Sequence, residues 1–131
     1  MVELVDVYPT LAELAGLPVP AELEGVSAVP LLKDPTRRGK TAVFSQFLRA
    51  GTWAAPDGQP YMGYSLLTER DHYVVWINWE TKVEVARELY DRQRDPDENV
   101  NLAGRPELAS RVASLEAQRR AGWRGALPPR H

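Results

Sequence analysis

The chain contains no cysteine. Disulfide frameworks, thiolate nucleophiles and thiolate metal sites are therefore excluded. Charge of one sign is not in excess either, with 16 basic against 18 acidic residues over 131 positions. No strong field toward nucleic acid or a membrane surface is expected from such a balance. No apolar run approaches the length a membrane-spanning helix requires, so no membrane span is expected. The opening MVELVDVYPTLAELAGL has no basic start and carries acids within its apolar run, unlike a secretion signal. No internal repeat is visible. What remains is a chain of one-domain length, able to bury a modest core.

Proline and glycine, by contrast, are plentiful and unevenly placed. Residues 6–16 read as a helix in which Leu11, Leu14 and Ala15 share a face, with Asp6 as cap and Gly16 as stop signal. Pro9 fits only within the first turn, which sets the helix start near Tyr8. Residues 17–41 hold Pro18, Pro20, Pro30, Pro35, Gly25 and Gly39 and read as a long, irregular connection, with Val29, Leu31 and Leu32 as its anchors. Ala42–Arg49, Tyr61–Thr68 and His72–Trp79 are rich in β-branched and aromatic residues and read as strands. Glu69-Arg70-Asp71 is a short polar link, making the second and third runs a hairpin. Glu88–Asp91 is a candidate fourth strand at an edge. Arg105–Gly122 reads as an amphipathic helix with Pro106 at its first position and Leu108, Val112 and Leu115 as its apolar stripe. A small antiparallel sheet of about four strands packed against a C-terminal helix is an α+β layer solution. The tail Leu127–His131 is expected to fray. The first helix presents Leu4, Val5, Val7, Leu11 and Leu14, more apolar surface than one flank buries. It is expected to pack on something upstream of residue 1; the alternative is that it covers the second face of the sheet.

Five segments, in order, carry a family resemblance. VELVDVYPTLAELAGLPVP resembles the helix S-L-V-D-x-x-P-T-L-x-x-L-A-G, and EGVSAVPLLKDP the bridge x-G-x-S-L-x-P-L-L, of the formylglycine-dependent sulfatases. SQFLR at Ser45–Arg49 resembles S-Q-Y-P-R, and MGYSLLTERDHYVVWINW resembles M-G-Y-S-I-R-T…Y-R-Y-T-x-W, of the iduronate-2-sulfatase-like branch. ARELYDRQRDPDENVNLAG at Ala86–Gly104 resembles the signature ELYD…DPxExxNLA near the sulfatase C-terminus. The resemblance implies an alkaline-phosphatase-like α/β parent. Residues 1–17 would be the last helix of its catalytic domain, 18–41 a proline-rich connection and 42–131 its C-terminal α+β subdomain. The subdomain would dock on the upstream catalytic domain through residues 2–16 and the sheet, and shape the pocket for a sulfated substrate. Calcium and formylglycine belong to that parent. In this chain none of Ser27, Ser45, Ser65, Ser110 and Ser114 is followed by the x-Pro-x-Arg that formylglycine formation requires. No catalytic residue, metal ligand or cofactor is expected here, and the chain alone is expected to be inactive. Export or a periplasmic setting is common for such parents, and any signal would lie upstream.

The resemblance places the Gly51–Pro60 loop at the mouth of the active site, which makes Arg49, at the end of its strand, a candidate to hold a sulfate or carboxylate bidentately. Trp53 on that loop is a candidate to stack on a sugar ring, against packing on the sheet edge. Gln46 alternates with Ser45, so one of the two is expected to face the core or a neighbouring domain. The acids Asp91, Asp95, Asp97 and Glu98 with Asn99 and Asn101 lack the spacing of a calcium loop and read as turn and capping chemistry. His72 reads as a hydrogen-bonded structural histidine, and Tyr73, Trp76 and Trp79 as core and core flank. Arg111, Arg119 and Arg120 are expected on the solvent face of the last helix. A reading from another class is a free-standing, non-catalytic module that binds sulfated glycans or a partner protein.

Overall fold

The computed structural model describes residues 1–53 and 55–128; of the tail for which fraying is expected, residues 129–131 lie outside this range. The chain forms two compact units, one of Met1–Val43 with the residues from Ala126 onward, the other of Phe44–Gly125.

In the first unit, a 3-10 turn at Leu4–Asp6 leads into helix α1, Val7–Leu14. Pro9 is the third residue of α1, where its missing N–H has no intrahelical acceptor to lose. The helix stops at Gly16, whose φ of +68° is the left-handed conformation a side chain resists. Gly16 N–H donates to Glu13 O and Leu17 N–H to Ala12 O at 2.9 Å, the paired closure of a Schellman end. The buried side of α1 is Pro9 and Ala12, while Leu4, Val5, Val7, Tyr8, Leu11, Leu14 and Leu17 are exposed, Leu4 at 91%.

Asp6 occupies the N-cap position of α1, but its side chain makes no capping bond to that helix. Its carboxylate instead accepts Glu3 N–H and Val26 N–H, each at 2.8 Å, and the Lys40 ammonium at 2.8 Å. Thr10 Oγ1 donates to Asp6 O and accepts Ala28 N–H at 2.8 Å. Two polar side chains thus supply acceptors to a segment with few backbone partners of its own. Burial pushes the Lys40 amine down, but its bonds to Asp6 and Glu3 win and its pKa is raised. Residues 17–41 are less irregular than expected, since Val29–Lys33 form a five-residue helix, α2, with Pro30 at its start. Val29 is buried, whereas Leu32 is 64% exposed and anchors nothing.

The second unit is built on a four-stranded sheet in the order β1-β2-β3-β4, with β1 Ala42–Arg49, β2 Tyr61–Thr68, β3 Asp71–Asn78 and β4 Glu84–Asp91. β2/β3 and β3/β4 are antiparallel, with Leu66 opposite Tyr73 and Tyr73 opposite Leu89. These three, with Val75, are fully buried. Helix α3, Ala109–Ala121, lies on their face and contributes buried Val112 and Leu115. A 3-10 turn from Pro106 leads into α3, and Gly122, at φ +73°, ends it. The β3–β4 turn is pinned by Asn78, whose Oδ1 accepts Glu80 and Thr81 N–H at 3.0 and 2.9 Å. β4 is an edge strand, and Asn101 serves as its missing neighbour. Its Oδ1 accepts Leu89 N–H at 3.0 Å and its Nδ2 donates to Arg87 O at 3.0 Å.

Candidate functional site

The two faces of the sheet differ in chemistry. On the helix-covered face, Asp71 and Asp91 stand opposite each other and share one arginine, Arg111. Arg70 donates to Asp91 at 2.6 Å, and Arg111 of α3 reaches both Asp71 and Asp91. The hydrogen bond from Arg70, helped by Arg111, holds the Asp91 carboxyl down at about 2. Next along α3, Glu116 accepts Arg119 at 2.8 Å through both oxygens, Arg120 at 2.5 Å and the Tyr73 hydroxyl at 3.2 Å. The Arg119 hydrogen bonds pull Glu116 to about 2, while burial pushes Tyr73 up to about 12. Arg111 and Arg119 therefore do not decorate the solvent face of α3. Arg111 ties the helix to the strands, Arg119 holds Glu116 within α3 with its guanidinium 5.7 Å from the Tyr64 ring of β2, and only Arg120 stands out in water.

The opposite face, formed by the alternate residues of the same strands, is aromatic and polar. Trp76 lies flat on Gly63, where an added Cβ would come within 2.8 Å of the indole. Its Nε1–H donates to Glu88 at 2.7 Å, and Tyr90 Oη donates to the other Glu88 oxygen at 2.8 Å. Burial, then Glu88, raises Tyr90 to about 12. Arg49 at the end of β1 places its guanidinium 5.8 Å from the centre of the Trp76 ring, a cation–π geometry. Trp53 is 72% exposed on the loop that follows. Gln46 and Ser45 are both exposed, as are Phe47 and Leu48, so neither member of the Ser45/Gln46 pair faces the core of this chain. The structure thus brings Arg49 together with Trp76 and leaves Trp53 and Gln46 without a described side-chain partner. Trp76, Glu88 and Tyr90 join the site without having been singled out for it. A tryptophan facing a glycine across the hairpin was the available signal.

His72 is held on this face by Ser65 at 2.8 Å and Glu98 at 2.7 Å. The acidic turn after β4 is a set of acceptors already in use. Asp95 accepts Val100 N–H at 2.8 Å and Asn99 Nδ2 at 3.3 Å, and Asn101 also accepts Ala103 N–H at 2.9 Å. With Asp91 on two arginines and Glu98 on His72 and Arg92, these carboxylates do not fit a divalent cation. Among the described residues no three His, Asp or Glu side chains gather around a common point that would hold one.

Fold and side-chain pattern together define an α+β layer of antiparallel sheet and helix, preceded by a helix whose apolar side faces out. The chain belongs to the N-sulphoglucosamine sulphohydrolase, C-terminal family, whose model matches residues 1–121. It is 36% identical over 110 residues to arylsulfatase K of Gallus gallus, covering 79% of this chain and 19% of the relative. It is 30% identical over 113 residues to the Delta 4,5-hexuronate-2-O-sulfatase of Bacteroides thetaiotaomicron, covering 86% of this chain and 21% of that one. Among solved structures, one in complex with its substrate D-glucosamine-2-N,6-O-disulfate superposes with a TM-score of 0.67 at 23% identity. That match covers 94% of this chain and 24% of the other, and shows the shared fold. The chain spans about a fifth of the length of the curated relatives it matches.

Proposed function

We propose that this chain is the part of a sulfatase that packs on the catalytic domain and shapes its substrate pocket, without sulfate-ester chemistry of its own. The observation that carries the reading is the row of exposed apolar side chains on and around α1, Leu4, Val5, Val7, Tyr8, Leu11, Leu14 and Leu17. A family domain that covers a fifth of its relatives leaves most of the protein to supply the surface that row needs. Phe47, Leu48 and Trp53 are exposed beside Arg49 in the second unit and would serve the same contact or the pocket rim. In this reading Arg49 holds a substrate sulfate or carboxylate, with Trp76 beneath its guanidinium to fix the direction of the fork. Trp53 offers an open ring face to a sugar, and Gln46 hydrogen-bonds along the exposed strand.

The test has two parts. The chain alone should not turn over an aryl sulfate, with or without calcium. Expressed in trans with the catalytic portion of its parent, it should co-purify, and Leu11→Asp with Leu14→Asp should abolish the association while circular dichroism stays unchanged. Calcium-dependent hydrolysis by the chain alone, or full association of the double variant, would refute the reading.

A further inference from the structure

Ser65, His72 and Glu98 stand in a line on the face of the sheet away from α3. His72 Nδ1 is 2.7 Å from Glu98 Oε2 and Nε2 is 2.8 Å from Ser65 Oγ. A carboxylate only accepts, so Nδ1 carries a proton, and in the neutral ring Nε2 then presents its lone pair to the serine hydroxyl. A hydroxyl on a base, and the base oriented by a carboxylate, is the relation that makes serine a nucleophile. Two further observations bear on it. Glu98 sits at φ +56°, a left-handed backbone that a non-glycine residue adopts at a cost, held there by the Asp95 turn. Its second oxygen faces Arg92 Nε at 3.4 Å, which leaves Oε2 to the imidazole. The His72 and Glu98 side chains keep 24% and 29% of their exposure, so water and a small reagent reach them.

We propose that Ser65 is a nucleophilic serine that accepts an acyl group from activated carboxylic esters, with His72 as its base and Glu98 as the positioning residue. Ser65 Oγ forms a bond to the ester carbonyl carbon while its proton passes to His72 Nε2. The carbon–oxygen bond to the leaving group then breaks, and Nε2 returns the proton to the departing oxygen. Hydrolysis reverses the roles: Nε2 takes a proton from water, the hydroxide oxygen attacks the acyl carbon, and the proton goes back to Oγ as the ester bond breaks. β2 is an inner strand, so the N–H groups around Ser65 belong to the ladders with its neighbours rather than to an oxyanion. That restricts the substrates to esters with good leaving groups, such as aryl esters, for which general-base help of about 10²–10⁴-fold is enough.

The probe is p-nitrophenyl acetate with the full chain. The expected result is a burst of nitrophenolate of one equivalent and an acetyl group mapped by mass spectrometry to the peptide holding Ser65. Ser65→Ala should abolish the burst, and His72→Gln should slow it about 100-fold or more. Glu98→Gln should slow it about tenfold and displace the pH profile of the burst, which a contact with no part in the acylation would leave in place. Acetyl groups on lysines and the N-terminus alone would overturn the proposal. So would equal labelling of Ser65 in a folded His72→Gln variant.

Discussion

Replacing Glu116 by Gln keeps the shape of the side chain and removes its charge, which isolates what that charge does between α3 and the sheet. Three partners converge on the carboxylate, namely Arg119 through both oxygens, Arg120 and the Tyr73 hydroxyl. They lower its pKa from an ordinary 4.5 to about 2, which at full weight corresponds to about 3 kcal/mol. Arg120 is 73% exposed, and water screens its share, so the expected loss at neutral pH is about 1–2 kcal/mol. The sign follows from the depressed pKa. The stabilisation is present in full above the unfolded-state value near 4.5 and disappears as pH falls toward 2. Urea unfolding of the wild type and Glu116→Gln, followed by tryptophan fluorescence at a series of pH values, reads the difference directly. The gap should be constant from pH 7 to about pH 5.5 and close below about pH 3, because other acid-labile carboxylates are common to both proteins. A gap that persists unchanged at the lowest pH at which both fold, or none at pH 7, would refute the assignment.

Two further outcomes follow from the backbone. A Cβ on Gly25 would lie 1.9 Å from the Val5 carbonyl oxygen, so Gly25→Ala should cost about 3 kcal/mol or more in the first unit. Hydrogen exchange should then show lost protection at the Val26 and Ala28 amides with the β3 amides unchanged; equal protection throughout would contradict the close approach. Asn101→Ala removes three hydrogen bonds, two of them to the β4 backbone, and should cost about 2–3 kcal/mol with faster exchange at Leu89; an unchanged midpoint of unfolding would show water replacing the amide.

Strands and helices were legible because they follow local rules. Alternating aromatic and β-branched residues marked β1 to β3, and Pro106 and Gly122 bracketed the last helix. The polar architecture was not legible, because its partners are far apart in sequence. Arg111 finds Asp71 from 40 residues away, and Lys40 finds Asp6 from 34. The relation of Ser65 to His72 depended on one residue of register. A three-residue link at Glu69-Arg70-Asp71 would pair Thr68 with His72 and put Ser65 on the opposite face. The observed register pairs Leu67 with His72 and brings the two onto one face. For the site, Arg49 was legible as a strand-end cation, but its seat over Trp76 required the sheet.

Asn101 follows Leu89, the amide it covers, by 12 residues. At a synthesis rate of about 5–20 residues per second it leaves the ribosome about 0.6 to 2.4 seconds after Leu89. For that interval the rail of β4 is bare, and a neighbouring nascent chain has a template to pair with. Once the asparagine arrives, that stretch closes, and strand exchange there would require its removal first. The vulnerable period of this sheet is therefore set by translation rather than by the stability of the finished fold.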